Sequence, residues 1–103
     1  MSEIHMGDVG TVIRVTVTEN DDAVDLSGAN NYDLIFKKPT SDTTVTEDAT
    51  FTTDGTDGQI EFTVPDNTWL DEVGWWRVQA LVEWASGNRW FGEIGRFRVF
   101  PNL

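Results

Sequence analysis

Strict alternation of apolar and polar side chains is the feature of this sequence that most limits its fold. Ile13, Val15 and Val17 alternate with polar residues near the N-terminus, and residues 60–64 repeat the pattern. Two residues is the period of a β-strand, whereas an amphipathic helix repeats every 3.6 residues, and no long helical periodicity is found. The chain is therefore expected to be all-β.

Turn-forming residues divide the alternation into short segments. The Asp and Gly residues of 54–58 and the Ser-Gly-Asn sequence of 86–88 predict hairpin turns. Gly92 and Gly95 lie inside the last segment and predict a bulge at which the alternation changes register. The predicted strands cover residues 11–18, 32–38, 43–53, 60–64, 75–83 and 89–100, with a short edge segment at 24–26.

The spacing of these strands predicts one immunoglobulin-like antiparallel β-sandwich of about seven to eight strands. One short helical turn is expected near residues 66–73, because Asp66 can cap it and Gly74 can end it. Residues 1–10 are expected to form an N-terminal arm without packed neighbours of its own. Residues 11–103 are then the sandwich domain.

Charge restricts the partners of this chain. Of its 103 residues 18 are acidic and 7 are basic, which gives a net charge of −11 and makes nucleic acid an unsuitable ligand. No run of 18 apolar residues predicts a membrane span, and residues 1–10 do not resemble a secretory signal. Residues 39–76 contain nine acids and no base, whereas residues 77–103 contain four bases and two acids. These opposite poles favour head-to-tail contact or docking on a basic partner.

The residue types that carry most catalysis are scarce. The chain has no Cys, and His5 is its one imidazole, without a neighbouring group in sequence to orient it. We therefore expect no enzyme activity, no cofactor and no metal site. Calcium stays open as an alternative, because it needs only oxygen ligands, although turn formation explains the carboxylates more simply. The two candidate groups are Asp54, Asp57 and Asp66, or Glu19, Asp21 and Asp22.

Aromatic residues are unusually numerous, with five Trp and six Phe in this short chain. Alternation directs Trp76, Phe36, Phe51, Phe62 and Phe97 into the core. The pairs Trp75-Trp76 and Trp90-Phe91 cannot both point inward, so some rings are expected on the surface. A protein interface is the favoured interpretation, while sugar stacking and simple covering of the sandwich ends stay open. The predicted interface residues are Ile4, Met6, Val9, Trp75, Trp84, Trp90 and Phe91.

Several short segments, in their order and spacing, are also familiar. Together they resemble small tailed-bacteriophage structural proteins related to the N-terminal domain of the baseplate upper protein family. The similarity runs from about residue 7 to residue 103. The segments are GDVGT (7–11), DLSGA (25–29), FKKP (36–39), TDGTDG (53–58), GWWRVQA (74–80) and FRVFPNL (97–103).

This resemblance implies an immunoglobulin-like sandwich that is a virion component, made in the host cytoplasm, and that catalyses nothing. It implies an adaptor or decoration subunit that binds neighbouring capsid, neck, tail or baseplate proteins, and it allows copies of itself in a symmetric assembly as partners. The alternative is a carbohydrate-binding or host-adhesion module that uses exposed aromatic rings.

Overall fold

Two β-sheets and a small hairpin make up residues 3–103, the part of the chain that the computed structural model describes. The prediction of an all-β sandwich is confirmed. The strands of these residues are β1 (Ile4–His5), β2 (Val12–Thr16), β3 (Thr18–Glu19), β4 (Asp22–Ala23), β5 (Asn31–Lys37), β6 (Thr44–Asp48), β7 (Thr50–Phe51), β8 (Gln59–Thr63), β9 (Gly74–Glu83), β10 (Arg89–Phe91) and β11 (Gly95–Phe100).

The larger sheet has six strands in the order β1-β11-β9-β5-β6, and β10 also pairs with β9. The smaller sheet has the order β2-β8-β7, and β3 and β4 form a separate hairpin. The longest strand, β9, lies at the centre of the larger sheet and presents Trp76, Val78, Ala80 and Val82 to the core, as the alternation predicts.

A cluster of five aromatic rings fills the centre of the sandwich. Trp76 is fully buried, and its ring stacks on Trp69 at 5.3 Å and on Phe97 at 5.8 Å between centroids. Phe36 meets the edge of Trp69 at 4.8 Å, and Phe62 of the smaller sheet lies 4.9 Å from the same ring. The cluster joins both sheets directly, since Phe36 lies 5.6 Å from Phe62, and also through Trp69, which lies outside any strand.

The bulge predicted at Gly92 and Gly95 is visible in the strand register. Phe91 pairs with Leu81, but Gly95 pairs with Val78, so the chain inserts one additional residue between β10 and β11. The side chain of Gln79 donates a hydrogen bond to the Gly92 carbonyl at 2.9 Å across this interruption. The insertion changes which residues face inward.

Two segments predicted as single strands are each divided in the structure. Residues 43–53 pair with β5 as β6 and then, after buried Ala49, with β8 as β7, so the chain changes sheets. Residues 11–18 divide similarly at Val17, whose backbone amide donates to Gly58. Alternation alone cannot show such a change, because the apolar residues continue to point into the same core on both sides of it.

The predicted helical turn near residues 66–73 is wrong in type. Asp66 does cap a turn, accepting the amide of Thr68 at 3.0 Å and its hydroxyl at 2.6 Å, but no helix follows among residues 3–103. The chain instead places Trp69 and Leu70 in the core, and Glu72 then binds the loop at Ser41.

Nowhere in the described chain is there a helix of the length and apolarity that a membrane crossing requires.

The expectation that the N-terminal segment lacks packed neighbours is also wrong for its described part. Ile4 is only 8% exposed, because β1 pairs with β11 in parallel and Ile4 lies opposite Val99. The amide of Gly7 then donates to the Leu70 carbonyl. This parallel pair, the one found within residues 3–103, departs from the predicted antiparallel arrangement, since a strand two residues long gives no detectable alternation.

Gly58 lies where neighbouring backbone atoms leave no space for a side chain. Its φ is +73°, and a Cβ there would lie 2.8 Å from the Val17 carbonyl oxygen and 2.9 Å from that of Val24. These carbonyls belong to the segments that flank the β3–β4 hairpin. The Val17 carbonyl accepts the amide of Val24, and the Val17 amide donates to the Gly58 carbonyl, so hydrogen bonds hold these three residues together.

We predict that Gly58→Ala destabilises the protein much more than Gly87→Ala, which is the matched control. Gly87 also has a positive φ, +89°, but open space surrounds it, so its substitution costs only the backbone strain of about 1 kcal/mol. Gly58→Ala adds the steric clash, a further ~1–3 kcal/mol. Urea unfolding of both variants measures the difference, and equal losses would contradict this account of Gly58.

Candidate interaction surface

The outer face of the six-stranded sheet, the face turned away from the smaller sheet, is the most distinctive surface of the protein. It is formed by the side chains that alternate with the buried ones along β5, β9, β10 and β11. Five of the chain's seven basic residues lie on it, namely Lys37, Arg77, Arg89, Arg96 and Arg98.

Three of these basic residues form a row across neighbouring strands, which we call the cation row. Lys37 of β5 pairs in register with Arg77 of β9, and Arg77 pairs with Arg96 of β11. Like charges directly opposite each other destabilise a sheet. Lys37 approaches Asp42 at 3.3 Å, but within residues 3–103 neither Arg77 nor Arg96 has a carboxylate oxygen within 4 Å.

Aromatic rings support the arginines in place of carboxylates. The guanidinium of Arg96 lies 5.8 Å from the ring centroid of Trp75, and that of Arg98 lies 4.6 Å from Phe100. Trp75 is 56% exposed, and it pairs across the strands with Arg98. This end of the outer face therefore combines positive charge with a large apolar ring, a combination typical of protein interfaces.

The other end of the outer face is acidic. Asp33 of β5 pairs in register with Asp48 of β6, and Glu83 lies nearby on β9; these three residues are the acidic group. Partial burial raises the pKa of Asp33, and the hydrogen bond and negative charge of Asp48, together with the charge of Glu83, raise it further. One oxygen of Asp33, Oδ1, is buried without a hydrogen-bond partner.

A shallow depression of about 210 Å³ lies beside the cation row, and Lys37 and Arg77 line it. Ile35 and Gln79, which pair in register, form its floor, and Ile94 from the bulge forms part of its wall. Ile94 is 60% exposed. The outer face thus combines exposed apolar side chains with the cation row at one end and, at the other, an acidic group whose Glu83 is paired with Arg89 at 3.5 Å.

The predicted interface aromatics separate into two groups. Trp75 and Phe91, which is 53% exposed, both lie on the outer face. Trp84 and Trp90 are instead partly buried against the core. They line a surface hollow with Val24 and Glu19 at the end of the sandwich beyond Glu83, so they mainly cover that end.

The predicted N-terminal residues lie at the opposite end of β9. Ile4 is in the core, and the Met6 amide donates to the Phe100 carbonyl beside the start of β9. Met6 and Val9 are exposed there. The seven predicted residues therefore do not form one continuous surface. Three of the strands that carry them, β1, β9 and β10, nevertheless lie in the same sheet.

The first group of carboxylates considered for calcium, Asp54, Asp57 and Asp66, is used in turns. Asp54 accepts the hydroxyl of Thr56 at 2.6 Å and its amide at 3.0 Å, and these bonds lower the pKa of Asp54. Asp57 accepts from Thr53 and from the amide of Gln59. Within residues 3–103, no three His, Cys, Asp or Glu side chains are grouped as metal ligands would be.

Comparison with known proteins gives the family. The family model described as the BppU N-terminal domain matches residues 2–74, which is most of the chain. The protein therefore belongs to this family, the baseplate upper protein N-terminal domain, and the resemblance found in the sequence is confirmed. The family is one of phage baseplate structural proteins, so its members are virion components that contact other virion proteins.

A solved structure supports the fold independently. The crystal structure of CopC from Methylosinus trichosporium OB3b is similar with a TM-score of 0.56 and 17% sequence identity, over 100% of this chain and 90% of that one. At this identity the likeness concerns the fold alone. The search among curated proteins returned no match.

Sequence reasoning missed the cation row, although part of its signal was present. Arg77 alternates with Trp76 and Val78, and Arg96 and Arg98 alternate with Phe97, so all three could be assigned to a solvent-facing side. What the sequence could not supply is the register that places Lys37, Arg77 and Arg96 side by side. That register depends on which strands are neighbours.

We predict that Asp33→Asn stabilises the protein at pH 7 by up to about 1 kcal/mol, because it removes one charge from a like-charged cross-strand pair. The folded state holds a proton on Asp33 at a higher pH than the unfolded state, whose pKa is near 3.8. The destabilisation caused by charged Asp33 is therefore fully present above its raised pKa in the folded state, and it is relieved as the pH falls through that pKa.

The measurement is the free energy of unfolding in urea from pH 3 to pH 8 for the wild type and for Asp33→Asn. The advantage of the variant should disappear towards pH 3.8. Asp66→Asn is the control with the opposite sign. The hydrogen bonds from Thr68 lower the pKa of Asp66. The Asp66 carboxylate therefore stabilises the folded protein above pH 3.8, and this stabilisation is lost as the pH falls through the lowered pKa. A constant advantage of Asp33→Asn across this range would contradict the account.

Proposed function

We propose that this protein is a non-enzymatic adaptor or decoration subunit of a phage virion. It is made in the host cytoplasm and binds neighbouring capsid, neck, tail or baseplate proteins through the outer face of its six-stranded sheet. Membership of the baseplate family supports the virion role, and the composition of the outer face supports the position of the contact.

The observation that carries this proposal is the cation row. A chain with 18 acidic residues has ample carboxylates to pair with its seven bases. Yet Arg77 and Arg96 are exposed beside each other, and within residues 3–103 neither has a carboxylate oxygen within 4 Å. Retaining a destabilising arrangement on the surface is typical of a binding site, where a partner supplies the missing charge. The exposed ring of Trp75 beside it adds apolar area for the same contact.

Exposed Trp75 also favours a second candidate function, a carbohydrate-binding or host-adhesion module. A flat ring with an arginine beside it can stack on a sugar. Trp84 and Trp90 contribute less to such a platform than the sequence suggested, because both pack against the core. Titration with a panel of glycans, followed by tryptophan fluorescence, separates this candidate from the first, since a protein contact requires no glycan response.

The proposed function is tested by incorporation into particles. We expect the double variant Trp75→Ala, Arg96→Glu to reduce the amount of this protein in purified virions at least about tenfold, because it removes an apolar anchor and reverses a charge at the contact. The matched control is Val12→Ala, Arg14→Glu, which makes the same kind of change on the exposed side of the smaller sheet.

Thermal unfolding first establishes that both double variants fold. Quantitative mass spectrometry of the particles then gives the copy number of each. Normal incorporation of the outer-face variant would show that the contact with virion neighbours lies elsewhere. Equal loss of both variants would remove the support for the outer face.

A further inference from the structure

We propose that the open edge of β2 binds an extended segment of another protein, which adds to the smaller sheet as a further strand. This edge is separate from the outer face, and it recognises a main chain through backbone hydrogen bonds. That the segment belongs to a virion neighbour rests on the proposed function. Two observations carry the strand addition itself, namely the unpaired backbone of β2 and a groove beside it.

One side of the β2 backbone is unpaired. Within residues 3–103, β2 pairs with β8 alone. The Val17 amide donates to the Gly58 carbonyl in the same register, so the odd-numbered residues of this segment bond to β8. Bonded and unbonded residues alternate along an antiparallel edge strand. The backbone amides and carbonyls that point away from β8 are therefore those of Val12, Arg14 and Thr16, which we call the free-edge residues.

The free-edge residues are open to solvent, since all three are exposed. Each offers one donor and one acceptor, spaced two residues apart along the strand. This spacing is the one that the backbone of a second extended chain requires. An edge of this kind is therefore a template for strand addition.

A groove of about 370 Å³ lies beside the same strand, and all five residues of β2 line it. It separates β2 from residues 93–97, next to the part of β11 that β1 leaves uncovered. Apolar side chains of both sheets contribute to its lining, namely Ile4, Ile13, Val15, Val78, Ile94 and Phe97. Ile94 is 60% exposed. The groove thus offers apolar area directly beside the unpaired backbone.

These features define the chemistry of the added segment. Ile13 is buried and Val15 packs against the core, so both face the larger sheet. In a strand bonded to the free-edge residues, the side chains opposite Ile13 and Val15 lie on the same face and enter the groove. They should be apolar to match its lining, whereas the intervening side chains face solvent and should be polar. The expected segment is extended, about five residues long, with apolar side chains at alternate positions.

A second copy of β2 fits this edge poorly. The antiparallel register that pairs all five residues places Arg14 opposite the Arg14 of the other copy, and like charges directly opposite each other destabilise a sheet. Each copy of Ile13 is already buried in its own core. Two copies joined at this edge would leave both grooves unfilled, whereas a segment without its own fold can fill the groove.

A synthetic peptide is the probe for strand addition. Its sequence is that of residues 58–65, because β8 has the required alternation and already pairs with β2 on the other side. When Glu61 of the peptide lies opposite Arg14, its Ile60 and Phe62 side chains face the groove. We expect about 1 mM peptide to slow hydrogen exchange of the free-edge amides at least about twofold, as a dissociation constant of 1 mM or tighter requires. The measurement is hydrogen exchange by NMR.

Two methylated peptides identify the bonds that form. A methyl group on the backbone amide of Glu61 in the peptide removes a donor that faces β2, so binding should weaken at least about tenfold. A methyl group on the backbone amide of Phe62 lies on the opposite edge of the added strand and should change binding less than about twofold. Equal effects of the two methyl groups would contradict strand addition.

Proline substitution tests the same edge in the protein. Arg14→Pro removes an outward donor and no bond to β8, so the fold should persist while peptide binding weakens at least about tenfold. The matched control is Thr46→Pro on β6, the edge strand of the larger sheet. The Lys38 amide donates to the Thr43 carbonyl, so the Thr46 amide points away from β5 in the same way.

Circular dichroism establishes that both proline variants fold. Thr46→Pro should bind the peptide as the wild type does. Unchanged exchange of the free-edge amides at about 1 mM peptide would overturn the inference, and so would equal losses of binding in the two folded variants.

The inference and the proposed function fail differently. If the peptide binds the free edge but the Trp75→Ala, Arg96→Glu variant enters virions normally, strand addition is supported and the proposed outer-face contact is refuted. If that variant is lost from virions but the peptide does not bind, the outer-face contact is supported and strand addition is refuted. The control Val12→Ala, Arg14→Glu keeps every free-edge backbone group, so it remains valid for the outer face.

Discussion

The stacking of Trp69 on Trp76 is the contact on which the rest of this small sandwich depends. Trp76 comes from the centre of the larger sheet, whereas Trp69 comes from a turn, and Phe62 of the smaller sheet lies against Trp69. Both indole N–H groups are satisfied, since Trp69 donates to Glu47 at 2.7 Å and Trp76 donates to the Glu72 carbonyl at 2.9 Å. Each aromatic pair adds about 0.5–1.5 kcal/mol beyond its burial, so the turn that carries Trp69 reinforces the direct contact of Phe36 with Phe62 between the sheets.

Filling the interior with these rings determines what is left for the surface. Phe36, Phe62 and Phe97 join the two tryptophans in the core, and little space remains for the neighbours of Trp76 and Trp90. Trp75 and Phe91 therefore lie on the outer face, where they adjoin the arginines. The composition of the outer face is thus a consequence of core packing as well as of the charges, because alternation fixes the side of the sheet for every residue of β9.

The sequence could predict features that one strand carries alone. The buried side of β9 and the bulge at Gly92 were both readable from alternation and glycine placement. Features that depend on distant partners were not readable. The change of sheet at Ala49, the parallel pairing of Ile4 with Val99 and the register of Lys37 with Arg77 each require knowledge of which strands are neighbours. The candidate site belongs to the second group, so the aromatics were predicted in part and the charged rows were not.

A net charge of −11 gives the cation row its significance for specificity. Most surfaces of two copies repel each other, and non-specific contacts are therefore suppressed. The outer face gathers five of the seven bases, so it is the region where this repulsion is weakest. The like-charged pairs Arg77–Arg96 and Asp33–Asp48 cost stability in a single copy. Under the proposed function, a partner of opposite charge that covers the face offsets that cost.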